Sequence, residues 1–175
     1  MLYNFRTCFL NFWLLAFAAM CAALSSCHPN ASIQEPGQAY LQGEWQQQKE
    51  AIHQKLITYS LYHLKFSCDS FYVQMQSFSH VNSGADTCMR SGHWVEYAKG
   101  VYYQQNDTLR LKGYFTTANN SLKRQGGCFR SGIYDEVFKV GSKTDSALQL
   151  TSTSNVVPIH LQLIKRATCH PKPLQ

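Results

Sequence analysis

The 175-residue chain is short of charge: 16 basic and 10 acidic residues make up only 15% of it. The bases are scattered singly, with no run beyond Lys123-Arg124 and Lys165-Arg166, and this excludes the contiguous basic stripe that a nucleic-acid surface needs. Catalytic signatures are missing as well, since neither G-x-S-x-G, H-E-x-x-H nor a P-loop occurs. No two cysteines stand in C-x2-4-C spacing, and His93 and His170, beside two of them, complete no zinc ligand pattern. His93 and Glu96, three apart on an expected strand, point to opposite faces and make a poor acid-base pair. No cofactor or metal is therefore expected, and no catalytic residue.

What is present at the start of the chain is an address. Residues 1–23 hold one base, Arg6, no acid, and a run from Phe9 to Ala23 broken only by Asn11, which is too short to span a bilayer comfortably and reads as a signal-peptide core. It leads into Leu24-Ser25-Ser26-Cys27, which resembles a bacterial lipobox: a branched apolar residue, two small residues and the cysteine that receives diacylglycerol before cleavage. The resemblance implies a leader over 1–26 and a membrane anchor at Cys27. At about 0.8 kcal/mol per buried methylene, several palmitate-sized acyl chains hold a domain almost irreversibly. Residues 28–39, HPNASIQEPGQA, have no apolar period and read as the flexible part of a tether over 27–39, leaving 40–175 as the folded domain.

Seven cysteines occur, of which Cys8 and Cys21 go with the leader and Cys27 with the lipid. Cys68, Cys88, Cys128 and Cys169 remain, and an even number in an exported domain reads as two disulfides with three possible connectivities.

From Tyr40 onward the pattern is period two, rich in Tyr, Phe, Val, Leu and Thr. Strands are expected at 41–47, 56–66, 71–79, 94–104, 108–115, 129–140, 147–151 and 156–165, with a short helical turn over 48–55 and a bend at Gly100. Consecutive antiparallel strands of this number suggest closure into an all-β up-and-down barrel, because closure removes both exposed edges. An open sandwich is the alternative. Gly43-Glu44-Trp45, at the start of the first strand, resembles the G-x-W of lipocalins and the wider calycin group. That likeness implies that Trp45 plugs the closed end and that Arg166, after the last strand, packs across its ring. In an up-and-down barrel the turn at Cys68 and the chain at Cys169 lie at the closed end, while Cys88 and Cys128 lie at the open end. The expected bridges are thus Cys68 with Cys169 and Cys88 with Cys128, since the other pairings would stretch a bond along the barrel.

The open-end cysteines each begin a C-x-R-S-G, Cys88 to Gly92 and Cys128 to Gly132. On this reading Arg90 and Arg130 face one another at the mouth and could hold a carboxylate or phosphate; two solvated loop arginines are the bland alternative. An apolar cavity below them, lined by Phe71, Val73, Leu109 and Leu148, could hold a small hydrophobic or amphipathic ligand. If the barrel is filled instead, the domain works through an envelope protein bound to its surface.

The chain is also similar to a group of small lipoproteins of the Bacteroidota phylum that share the run GHW-x-EYAKGVY, here Gly92 to Tyr102. Some of these carry the name fumarate hydratase. Fumarases need either a cysteine-bound iron–sulfur cluster or a loop of the form GSSxMPxKxN, and neither is here, so a non-enzymatic protein is expected. Lipoproteins of that phylum use an acidic cluster after the lipidated cysteine for export to the cell surface; none follows Cys27, which points to an outer-membrane anchor facing the periplasm.

Overall fold

Period-two patterning becomes eight antiparallel strands that pair in strict sequence order and close on themselves. They are β1 (Gly43–Gln47), β2 (Thr58–Ser67), β3 (Ser70–Ser79), β4 (His93–Gln105), β5 (Thr108–Thr116), β6 (Ile133–Lys143), β7 (Ala147–Ser152) and β8 (Ile159–Arg166), and β8 pairs back onto β1. Closure leaves no strand edge open to a second chain. The structure, a computed structural model, describes residues 33–81, 88–89, 91–124, 129–155 and 157–173. Among these there is no α-helix, only 3-10 turns at Ala39–Leu41 and Ala51–Lys55, the second where a helical turn was expected. No helix among them is long and apolar enough to cross a membrane. The ring belongs to the unit Gln34–Lys172; Ile33 and Pro173, in the other unit, pair with one another in an isolated bridge.

Strand boundaries differ from the sequence expectation by up to four residues, and two of the differences have visible reasons. The sixth strand starts at Ile133 rather than 129, because Phe129 and Gly132 carry φ of 70° and 83° and break the extended chain. The eighth starts after Pro158, which has no N–H to give to a ladder. The second starts at Thr58 rather than 56, after a link that continues past the 3-10 turn. Gly100 produces no break: β4 runs through it from His93 to Gln105.

The links β2–β3, β4–β5 and β6–β7 lie at one end of the ring together with the entry to β1 and the exit from β8. Here Trp45 is fully buried and donates its indole N–H to the Leu41 carbonyl at 2.8 Å. The Arg166 guanidinium sits 5.5 Å from the Trp45 ring centre and donates to the carbonyls of Tyr40 at 2.8 Å, Gln42 at 3.3 Å and Asp145. Gly43 is required for this closure, since at φ 138° an added Cβ would meet the Lys165 carbonyl at 2.3 Å. Cys68 and Cys169 are bridged at the same end, with Cα atoms 4.8 Å apart. Gln42 locks the Cys68 turn by accepting its N–H at 2.7 Å and donating to its carbonyl at 2.9 Å.

The expected spacer is shorter than 27–39. From Gln34 on the chain is hydrogen-bonded to the ring: the Gln34 amide donates to the Ser67 carbonyl and the Ser70 hydroxyl, and Gln38 N–H to the Tyr102 hydroxyl at 2.9 Å. The half-buried turn between β2 and β3 offers polar groups that this segment satisfies.

Candidate functional site

Inward-facing positions change character along the ring axis. In the closed half they are Leu64, Phe66, Phe71, Val73, Leu109, Leu111, Phe138, Leu148, Leu150 and Leu161, all nearly inaccessible and joined in one core cluster. Toward the open end the same alternation brings in polar side chains: Tyr62 on β2, Ser77 on β3, Glu96 on β4, Tyr134 and Glu136 on β6, and Ser152 on β7. Buried polar groups are the informative ones, because each must find a partner or a purpose.

Glu96 finds Arg130. The guanidinium enters from the link before β6 and donates Nε at 3.0 Å and Nη2 at 2.8 Å to the two carboxylate oxygens, while the Arg130 backbone N–H adds a third bond at 3.0 Å. Its plane lies over the Phe115 ring, 4.9 Å from the centre. Burial alone pushes the Glu96 carboxyl up, but the hydrogen bonds and charge of Arg130 outweigh it and hold the group below the ordinary carboxylate value. In return the bonds from Glu96 raise Arg130.

Behind this pair stand two tyrosines. The Tyr62 hydroxyl is pushed up to about 12, first by burial and then by Glu136, with Arg130 opposing. Burial likewise drives Tyr134 well above its usual value. Both therefore remain protonated phenols at any physiological pH. The Tyr134 hydroxyl is buried and has no hydrogen-bond partner among the described residues. Glu136 accepts from Ser154 at 2.9 Å and from Ser152, and has no cationic partner among the described residues.

A cavity of about 250 Å³ opens above this layer, at the end of the ring where β1 passes to β2 and β7 to β8. Gln47, His53, Tyr59, Tyr62, Ser154 and Ile159 are among its walls. Gln47 accepts the Tyr62 N–H at 3.2 Å, which turns its amide nitrogen toward His53 Nε2 at 3.3 Å; His53 is 2% exposed and its Nδ1 is held by the Glu50 backbone. The walls are thus fixed before anything binds. A second cavity, about 490 Å³, lies against the outer faces of β2 and β3 and includes Gln34, Lys65, Ser70 and Tyr72. Gln34 and Lys65 are already engaged there, the latter with Glu44 at 3.1 Å.

Phe71, Val73, Leu109 and Leu148 are 0–3% exposed in the packed core and line neither of these cavities, because rings and branched chains from opposite strands meet across the axis. Arg130 does not stand ready for an anion, because Glu96 occupies its Nε and Nη2. Arg90, which was to face it, lies outside the described residues, as do Cys27 with its leader and Cys128, the expected partner of Cys88. Gly43, Trp45 and Arg166 do converge, at the closed end. Sequence reasoning missed Glu96, Glu136, Tyr62 and Tyr134. The signal for Glu136 was its place two residues from each of Tyr134 and Phe138, which puts it on the inward face.

Among the described residues no group of His, Cys, Asp and Glu is gathered as a metal site. Comparison with protein-family models, with curated proteins and with solved structures finds no match to this chain.

Proposed function

We propose that this is a lipid-anchored protein of the bacterial envelope whose lipocalin-like ring is a filled scaffold presenting one small binding pocket at its open end. Cys27 carries the lipid, the chain up to about Gln34 serves as tether, and a second disulfide, Cys88 with Cys128, staples the open-end links. The observation that supports the pocket reading is the 250 Å³ cavity walled by pre-positioned polar and aromatic groups, above a core of buried apolar side chains. It lies just under the usual range of about 300 to 1,000 Å³ for ligand sites, so the occupant is a compact molecule rather than a long acyl chain. A ligand-observed NMR screen of small metabolites against the full chain in non-ionic detergent tests this. Hits that disappear on Val157→Trp, which fills the pocket from its rim, support it; hits that persist in that variant contradict it.

A second reading, an accessory module acting through an envelope protein, draws on the outer face. Tyr72, Lys99, Tyr114 and Ile133 stand in one cross-strand row over β3 to β6, and the three apolar members are 39–67% exposed. Tyr114→Glu should then abolish co-purification of that partner.

A further inference from the structure

Glu96 and Arg130 cancel one another inside the open end of the ring, which leaves Glu136 as the uncompensated charge of that layer. One of its oxygens, Oε1, receives the hydroxyls of Ser152 and Ser154; the other, Oε2, accepts no hydrogen bond among the described residues. Ser154 is a wall of the mouth pocket, so the carboxylate stands directly behind that wall. Two phenols flank it. Tyr62 lines the pocket and crosses edge-on to Phe138, two residues along β6 from Glu136, at a ring separation of 6.3 Å. Tyr134 is 3% exposed with an unpartnered hydroxyl, and the Tyr62 hydroxyl has no hydrogen bond among the described residues either.

Glu136 Oε2 behind the Ser154 wall and the Tyr62 hydroxyl on the wall are two acceptors without donors among the described residues, while the Tyr134 hydroxyl is too buried to face the cavity. An anion is repelled there by the net negative charge. A neutral alcohol brings one donor for two acceptors. An ammonium brings three donors and no acceptor, matches the missing charge and gains from the aromatic ring of Tyr62. Tyr59 already receives one cation, since the Lys49 ammonium at the rim lies 5.7 Å from its ring centre. Leu56, Val157 and Ile159 supply an apolar wall for the remainder of the ligand.

Resting on the pocket reading above, we infer that the mouth pocket selects a small primary amine with a compact apolar body, its ammonium directed past Ser154 to Glu136 and to the Tyr62 hydroxyl. Such a ligand crosses the outer end of the ring with its apolar part toward Ile159 and its charge toward β6. Glu136 is the specificity-determining residue, and Lys49 weakens binding by like-charge repulsion at the entrance.

Calorimetric titration of the full chain in non-ionic detergent with phenethylamine, the neutral 2-phenylethanol and the anionic 3-phenylpropionate tests this without any substitution. The amine should bind at least about tenfold more tightly than the alcohol, the worth of one charged hydrogen bond, and the acid should bind weakest. Glu136→Gln should erase the amine's advantage over the alcohol. Equal binding of all three, or preference for the acid, overturns the amine assignment; if that binding is lost in Val157→Trp, the pocket itself stands. No binding by any of the three also overturns the assignment, and the pocket reading is then decided separately by the wider screen. An advantage of the amine that survives in Glu136→Gln, with the variant folded by circular dichroism, removes Glu136 from the proposal.

Discussion

The Glu96 carboxylate is 5% exposed and its partner Arg130 is 56% exposed, so the pair is a buried anion held by a half-solvated cation. Removing the cation strands the anion. For a fully buried pair that costs about 3 to 5 kcal/mol, and solvent around the arginine brings the expected loss for Arg130→Met to about 1 to 3 kcal/mol. The pH dependence gives the sharper test. In the native protein Glu96 lies below its ordinary value of 4.5, so its contribution is present above that pH and is lost as pH falls further. In Arg130→Met burial, the largest influence, is opposed only by a hydrogen bond from Trp94, so the carboxyl rises above its ordinary value and the folded state gains relative to the unfolded one as pH falls into the Glu96 titration range. Chemical denaturation between about pH 6 and 3 should therefore show opposite slopes attributable to this residue in the two proteins. At the closed end, Arg166→Ala loses a cation–π contact and hydrogen bonds to main-chain carbonyls, an expected cost of about 1 to 2 kcal/mol by urea unfolding. Gly43, Trp45 and Arg166 were legible in the sequence because they form a motif with one geometric use. Arg130 was misread because a sequence displays a charge and hides its counter-ion 34 residues away.

Among the elements, β4 and β5 show why the ring is filled. Phe66, Phe71, Gly100, Gly113 and Tyr134 stand in one cross-strand row, with the two glycines paired between Phe71 and Tyr134. The Phe71 and Tyr134 rings approach to 5.7 Å. A Cβ on Gly113 would meet the Lys99 carbonyl at 1.9 Å, and one on Gly100 the Lys112 carbonyl at 2.1 Å. Either glycine to alanine should cost about 3 kcal/mol, the upper end for overpacking, because main chain rather than a flexible side chain must yield; thermal unfolding reads it out. Strand number, order and most boundaries were legible from period-two alternation and turn residues such as Asn106, which takes φ 55° between β4 and β5. Alternation says which side chains face inward. It does not say whether they meet, and here large rings over paired glycines do, with Phe71, Val73, Leu109 and Leu148 buried in the core.

For the whole molecule, the bridge from Cys68 to Cys169 spans 101 residues and ties the β2–β3 turn to the chain beyond β8. In the chain-entropy model a loop of that size is worth about 4 to 5 kcal/mol, so Cys169→Ser should lower the denaturation midpoint by more than any single substitution above. This pairing followed from up-and-down topology alone, since both cysteines had to lie at the closed end. The anchor proposal makes an independent prediction: Cys27→Ser should move the protein from the detergent phase to the aqueous phase on cloud-point partitioning, with the fold unchanged. A filled ring with one compact pocket at its mouth is the claim on which the functional reading turns, and a native mass spectrum of the full chain purified from the envelope tests it most directly. The account predicts either the lipidated chain alone or one small non-covalent adduct that is missing from Val157→Trp. A long-chain lipid held non-covalently, and equally in Val157→Trp, would mean that the ring encloses a deep cavity and would contradict it.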